Sequence, residues 1–119
     1  MEKLSVIVPC FNEQETLQDY YDAISKVRET LLGKECELQV ILVDDGSKDK
    51  TLAKMKELSG QCSWIRYISF TRNFGKEAAI YAGLTHAEGE YVSLMDVDLQ
   101  DPPELLPKMY AMVKNGTCD

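Results

Sequence analysis

The sequence is poor in the residues that build metal and redox centres. It holds one histidine in 119 residues, and its four cysteines, Cys10, Cys36, Cys62 and Cys118, show no C-x-x-C spacing. A cysteine–histidine zinc site and a disulfide framework are excluded on that basis, and the cysteines read as reduced thiols of a cytosolic protein. Positive charge is also short. Against 20 Asp and Glu there are 13 Lys and Arg, a formal net charge of −7, which gives no basic face for nucleic acid. No apolar run approaches the length of a membrane span. The apolar start Leu4-Ser5-Val6-Ile7-Val8 is cut short by Pro9 and Asn12, so no secretory signal is expected. Linkers, internal repeats and low-complexity stretches are missing too. What remains is 45% hydrophobic and 28% charged, the composition of a soluble globular domain. A chain of this length fits one domain and buries roughly two thirds of its unfolded surface. Asn115-Gly116-Thr117 is formally a glycosylation sequon and carries no meaning in a cytosolic protein.

The hydrophobic pattern alternates between two periods. Leu4–Val8 is a short run rich in β-branched residues, the signature of a buried strand. Asn12 with Glu15 forms a candidate capping box for a helix bearing Leu17, Tyr20, Tyr21, Ile24, Val27 and Leu31, ended by Gly33. Residues 38–43 form a second strand, stopped by Asp44-Asp45-Gly46-Ser47, where Ser47 is the expected N-cap of a short helix carrying Leu52, Met55 and Leu58. Residues 64–70 read as a third strand, 77–87 as an alanine-rich helix, and 91–95 as a fourth strand. Asp101 and Glu104 around Pro102 and Pro103 open a last helix that runs to about Asn115. Tyr20, Tyr21 and Tyr81 are expected in the core or at its margin, and His86 on the surface. The order β-α-β-α-β-α-β-α predicts an α/β fold of three layers, a mainly parallel Rossmann-like sheet with helices on both faces and right-handed crossovers.

Ligands of such sheets bind beyond the carboxyl ends of the strands, so the residues that follow each strand carry the chemistry. Those residues are Pro9 to Glu13, Asp44 to Ser47, Arg72 to Lys76 and Asp96 to Gln100. Asp96 and Asp98 stand two apart, which in extended backbone points both carboxylates to one side. They repel unless a proton or a cation lies between them. Gln100 continues the alternation with a carbonyl oxygen, and Mg²⁺ or Mn²⁺ takes an all-oxygen set while leaving positions open for phosphate. The competing reading is a turn cap. Arg72 and Lys76 supply the positive charge a diphosphate needs. Of Asp44 and Asp45, one can serve the turn alone while the other accepts from a base N–H or a ribose hydroxyl. Phe11 is either a staple on the first helix or a platform for a nucleobase, and Glu13 a first-turn acid favoured by the helix dipole.

Taken in order, Val6-Ile7-Val8-Pro9-Cys10-Phe11-Asn12-Glu13, Val43-Asp44-Asp45-Gly46-Ser47, Arg72-Asn73-Phe74-Gly75-Lys76 and Asp96-Val97-Asp98-Leu99-Gln100-Asp101-Pro102-Pro103-Glu104 resemble the N-terminal part of a family 2 glycosyltransferase with the A-type nucleotide-sugar fold. The nearest subgroup by these motifs is that of the polyprenyl-phosphate sugar transferases, similar to dolichyl-phosphate mannosyltransferase and bactoprenol glucosyltransferase. The resemblance implies that Pro9 and Phe11 line a base pocket, with Phe11 stacking where many relatives have tyrosine. It implies that Glu13 and Asp45, and less directly Asp44, hydrogen-bond the base or ribose, and that Lys76 and Arg72 face the diphosphate. Asp96, Asp98 and Gln100 then hold the Mg²⁺ or Mn²⁺ that bridges the donor phosphates, while Asp101 only caps the last helix.

The implied donor is a UDP- or GDP-sugar and the implied acceptor a polyprenyl phosphate or a glycan. Members of the family continue past this point with acceptor-side strands, a candidate general base and, in many polyprenyl-phosphate members, membrane helices. No residue of this chain is assigned as a catalytic base; a general base, where the reaction uses one, is expected beyond Asp119. The expectation is therefore that residues 1–119 form one nucleotide-sugar-binding domain, truncated at its C-terminal end and inactive alone. The longer protein is expected at the cytoplasmic face of a membrane, attached only through segments outside this chain. Four other readings compete. A response-regulator receiver needs an acidic pair after the first strand, where Pro9-Cys10 stands. A nucleotidyltransferase needs a glycine-rich basic loop there, and a dehydrogenase needs G-x-G-x-x-G; neither motif is present. A nucleotide-binding module without transferase activity remains open.

Overall fold

Residues 2–32, 36–95 and 97 are described in the structure, a computed structural model. The elements run β1 (Glu2–Cys10), α1 (Leu17–Leu32), β2 (Cys36–Asp44), α2 (Thr51–Gln61), β3 (Ile65–Ser69), α3 (Lys76–His86) and β4 (Tyr91–Leu94). Gly33 as a helix end, the last helix with Asp101 and Glu104, Cys118, and the expected metal ligands Asp96, Asp98 and Gln100 lie outside the described residues. So does Asp119, the residue beyond which the general base is expected.

All strand pairs are parallel, in the order β3-β2-β1-β4. The two central strands explain the unbroken apolar runs, because residues on both of their faces are covered. Val6, Ile7, Val8 and Val40 to Val43 are all buried. β3 is an edge strand in which only Ile65 is buried, and Arg66 and Tyr67 face solvent.

From β1 the chain steps outward to β2 and then β3, and α3 carries it back to the far side of β1. Right-handed crossovers in opposite directions place their helices on opposite faces. The two apolar clusters show this. Leu17, Tyr20, Ile24, Val27 and Leu31 of α1 and Met55 and Leu58 of α2 pack with Leu4, Val6, Val8, Val40 and Leu42. Ala79 of α3 packs with Ile7, Ile41 and Val43 on the other side. The fold is thus α/β with helices on both faces, and the direction of winding reverses between β1 and β4.

Some local expectations change. Tyr20 is buried and Tyr21 packs at the margin, but Tyr81 is 74% exposed and belongs to neither. The apolar stripe of α2 is Thr51, Met55 and Leu58, with Leu52 only half-buried. At the amino ends of the strands, Ser5 Oγ donates to Gln39 Oε1 across β1 and β2 (2.6 Å), and the N–H groups of Glu88 and Gly89 donate to Gln39 Oε1 and Ser5 Oγ. This polar cluster fastens the α3–β4 turn under the sheet, opposite the edge where ligands are expected.

Candidate functional site

The carboxyl ends of β1, β2 and β3 open on one edge, and β4 joins them there through the Met95 N–H, which donates to Ile7 O at 3.0 Å. The crevice at the reversal point, between β1 and β4, is where open α/β sheets bind ligands.

The β1 loop is held by its neighbour. Asn12 takes a left-handed conformation (φ 53°), which asparagine tolerates better than most residues. Its N–H donates to Ser47 Oγ (2.9 Å) and its Oδ1 accepts from the Lys48 N–H (2.9 Å). The expected Asn12–Glu15 capping box is therefore absent, because the Asn12 side chain is engaged across the loops. Glu13 opens α1 instead. Its backbone O accepts from the N–H groups of Thr16 and Leu17, and its Oε2 accepts from Thr16 Oγ1 at 2.7 Å. Its own N–H donates to Thr51 Oγ1 (2.8 Å).

Ser47 is likewise not the N-cap of α2. Asp49 Oδ1 accepts from the Thr51 N–H at 2.9 Å, immediately before the helix. Desolvation alone would raise the Asp49 carboxyl. The bonds from Thr51 and Gln14 outweigh it and hold the group below its usual range.

Pro9, Cys10, Phe11, Glu13, Asp45 and Lys76 line one open cleft of about 190 Å³ at this edge. Five of these six are residues singled out from the sequence. Cys10 was not, and it is no nucleophile. Burial first, then the charges of Glu13 and Asp44, push its thiol far above the ordinary value.

The two acids after β2 have separate tasks. Asp44, 1% exposed, accepts from the Ser47 N–H (2.9 Å) and from Ser69 Oγ (3.3 Å). It holds the turn and is not among the residues that line this cleft. Asp45, 4% exposed, lines the cleft, but its carboxylate faces the β3–α3 loop. Oδ1 accepts from the Phe74 N–H (2.8 Å) and the Gly75 N–H (3.2 Å), and Oδ2 accepts from the Gly75 N–H (3.1 Å) and Asn73 Nδ2 (3.2 Å).

Arg72 is not on the cleft wall. Its guanidinium lies over the Phe74 ring, 4.7 Å from the centroid. His86 is exposed, with Nδ1 against Ala82 O, away from the cleft. Asn73 and Thr51 are the residues that sequence reading missed. Their partners lie 28 to 38 positions away, and only the adjacency of the loops reveals them. Among the described residues no three His, Cys, Asp or Glu side chains are grouped to hold a metal ion. Glu13, Asp44 and Asp45 therefore do not form a cation site by themselves.

The model of glycosyl transferase family 2 matches residues 5–119. The bactoprenol glucosyl transferase of Shigella phage SfV is 42% identical over 107 residues, 90% of this chain and 34% of that protein. The prophage bactoprenol glucosyl transferase homolog of Escherichia coli K12 is 41% identical over the same length. The chain thus spans about a third of the length of these relatives. Among solved structures, a mannosyltransferase of Pyrobaculum calidifontis in complex with GDP-Man and Mn²⁺ superposes with a TM-score of 0.68 at 27% identity, over 82% of this chain and 28% of that one. TarS of S. aureus superposes with a TM-score of 0.70 at 26% identity, over 95% of this chain and 20% of that one. Motif order, strand order and these matches agree, and the chain belongs to glycosyl transferase family 2.

Proposed function

We propose that this chain binds the nucleoside-diphosphate sugar donor of a glycosyltransferase whose acceptor is a polyprenyl phosphate, acting at the cytoplasmic face of a membrane. The observation that carries the reading is the cleft at the carboxyl edge of the sheet, which gathers Pro9, Phe11, Glu13, Asp45 and Lys76 from the ends of β1 and β2 and the start of α3. Phe11 offers an exposed ring for a base to stack on, and Glu13 offers carboxylate oxygens to base or ribose donors. Lys76, at the start of α3, offers positive charge to the diphosphate that leaves as the sugar is transferred. Arg72, stacked on Phe74, is assigned a lesser part.

A divalent cation fits the end of β4. Asp96, Asp98 and Gln100 offer only oxygen donors, the choice of Mg²⁺ or Mn²⁺. The flanking Met95 and Val97 are buried in the core, and Met95 is bonded to β1 beside the crevice. When bound, the cation neutralises charge developing on the leaving phosphates. The acceptor assignment is supported by the relatives named bactoprenol glucosyl transferases, and the cation by the Mn²⁺ and GDP-Man in the mannosyltransferase. Since the chain spans a third of those relatives, we assign donor binding to these 119 residues, and the acceptor side and any general base to further chain beyond Asp119. Among the described residues no helix is long and apolar enough to cross a membrane.

Calorimetric titration of UDP, GDP and their sugars, with Mn²⁺ and then with a chelator, tests the reading. One nucleotide series binds, and its affinity falls about tenfold or more, roughly 1.4 kcal/mol, on chelation or in Asp98→Ala. Binding indifferent to both changes sinks the metal assignment, and no binding of either series sinks the donor reading. Robust sugar transfer by the 119 residues alone would overturn the division of labour.

A further inference from the structure

The Asp45 carboxylate is engaged on one side by a single short segment. Phe74 and Gly75 give it their backbone N–H groups, and Asn73 gives it a side-chain N–H. The same Asn73 Nδ2 also donates to Asp45 O at 3.2 Å, so one amide grips both the backbone and the side chain of Asp45. The segment ends where α3 starts. Gly75 is the N-cap, with φ 102° and no side-chain cap bond, and the Ala79 N–H donates to its carbonyl at 3.2 Å. The N–H groups at a helix start attract an anion, and here a buried carboxylate from the neighbouring loop accepts from the N-cap N–H and from the N–H just before it. Lys76 is the next residue.

We propose that Asp45 and Asn73 are a positioning pair. They fix the origin of α3 and with it the place of Lys76 on the cleft wall, and through Lys76 they act on the donor diphosphate. This rests on the donor-binding reading above. Both Asp45 oxygens accept from this loop, so its carboxylate is tied to the start of α3 before any donor arrives. A fixed backbone lowers the ordering cost when Lys76 meets phosphate.

The test compares the wild-type chain with Asn73→Ala, Lys76→Ala and the double variant. Binding of UDP and GDP is measured beside binding of uridine and guanosine, with thermal melts confirming the fold. Loss of a hydrogen bond to a charged group predicts about tenfold weaker nucleoside-diphosphate binding in Asn73→Ala, with nucleoside binding unchanged. In the Lys76→Ala background the Asn73 substitution then has no further effect. Equal loss for nucleoside and diphosphate, or full additivity of the two substitutions, overturns the proposal. Amide exchange at Phe74 and Gly75 reads the pin without any ligand. Protection falls in Asn73→Ala, and unchanged protection also overturns the proposal. If the wild type binds neither UDP nor GDP, the donor reading fails, and exchange alone judges the pin.

Discussion

Gly46 sits where two loops touch, and its backbone has φ 73°. A Cβ there would stand 2.3 Å from the Arg72 carbonyl carbon and 2.4 Å from the Asn73 nitrogen, both backbone atoms that cannot swing aside. Gly46→Ala meets two costs, the left-handed conformation at about 1–2 kcal/mol and displacement of the β3–α3 loop. We expect a loss of about 3 kcal/mol or more and a Tm lower by about 10 °C or more. Gly46→Asn separates the two costs, since asparagine tolerates the conformation but meets the same atoms. It rescues little if contact dominates, and full rescue refutes the contact. The glycine itself was legible as part of a turn, but the reason for it was not. Sequence shows a residue able to take positive φ; only structure shows which loop lies against it. The same limit applied to Asp44 and Asp45. Their task division follows from which of them faces Ser69 and which faces Phe74, and no spacing along the chain encodes that.

At the scale of elements, the small residues Ala79 and Gly83 form the buried face that α3 turns to the sheet. A Cβ on Gly83 would come within 2.4 Å of Ile7 Cγ2 and 3.0 Å of Ile7 Cγ1. Ile7 is 1% exposed and packed against Ile41, Val43 and Ala79, so it has little room to move. Gly83→Ala gains about 1 kcal/mol in helix propensity and costs about 1–3 kcal/mol in overpacking. Overpacking wins, and denaturant unfolding shows a net loss of about 1 kcal/mol. Combining the substitution with Ile7→Ala removes the clash, so the double variant loses less than the two single losses together. Strict additivity would mean that the helix lifts freely and that close packing is not what the glycine serves.

The elements were the part most open to sequence reading, because apolar runs and helical stripes survive any choice of neighbour. Starts of helices were the part least open. Asn12 and Ser47 both have cap chemistry, yet each directs its polar atoms to the other's loop, and Glu13 and Asp49 open the helices in their place. Thr51 joins the inner stripe of α2 because its hydroxyl has partners in Glu13 and Asp49, which lets a polar residue be buried where Leu52 was expected.

The whole molecule is organised about β1, which pairs with β2 and β4 and closes the larger core at its carboxyl end with Cys10. Tyr20 of α1 is buried in the same core, its hydroxyl donating to Met95 Sδ at 3.7 Å. That core therefore holds a thiol and a phenol, both kept neutral. Burial raises Cys10 far above its ordinary 9.0 and Tyr20 far above its ordinary 10.0, with the Cys10 charge adding to the second shift. The sign follows from proton linkage. Each group holds its proton more tightly folded than unfolded, so its contribution is complete below the unfolded value and is lost as pH rises above it. Stability is therefore insensitive to these groups at neutral pH and falls in alkali. The slope is about 1.4 kcal/mol per pH unit for Cys10 above pH about 9, and steeper once Tyr20 joins above pH about 10. By pH about 10.5 the Cys10 share alone reaches roughly 2 kcal/mol, a Tm loss of about 8 °C. Thermal melts of wild type, Cys10→Ala and Tyr20→Phe between neutral pH and that point check it. Each variant starts lower at neutral pH, from a small cavity or a lost hydroxyl contact, yet declines less steeply in alkali. Parallel curves for all three proteins would show that the alkaline loss comes from surface charge instead, and that these two buried groups titrate no differently folded than unfolded.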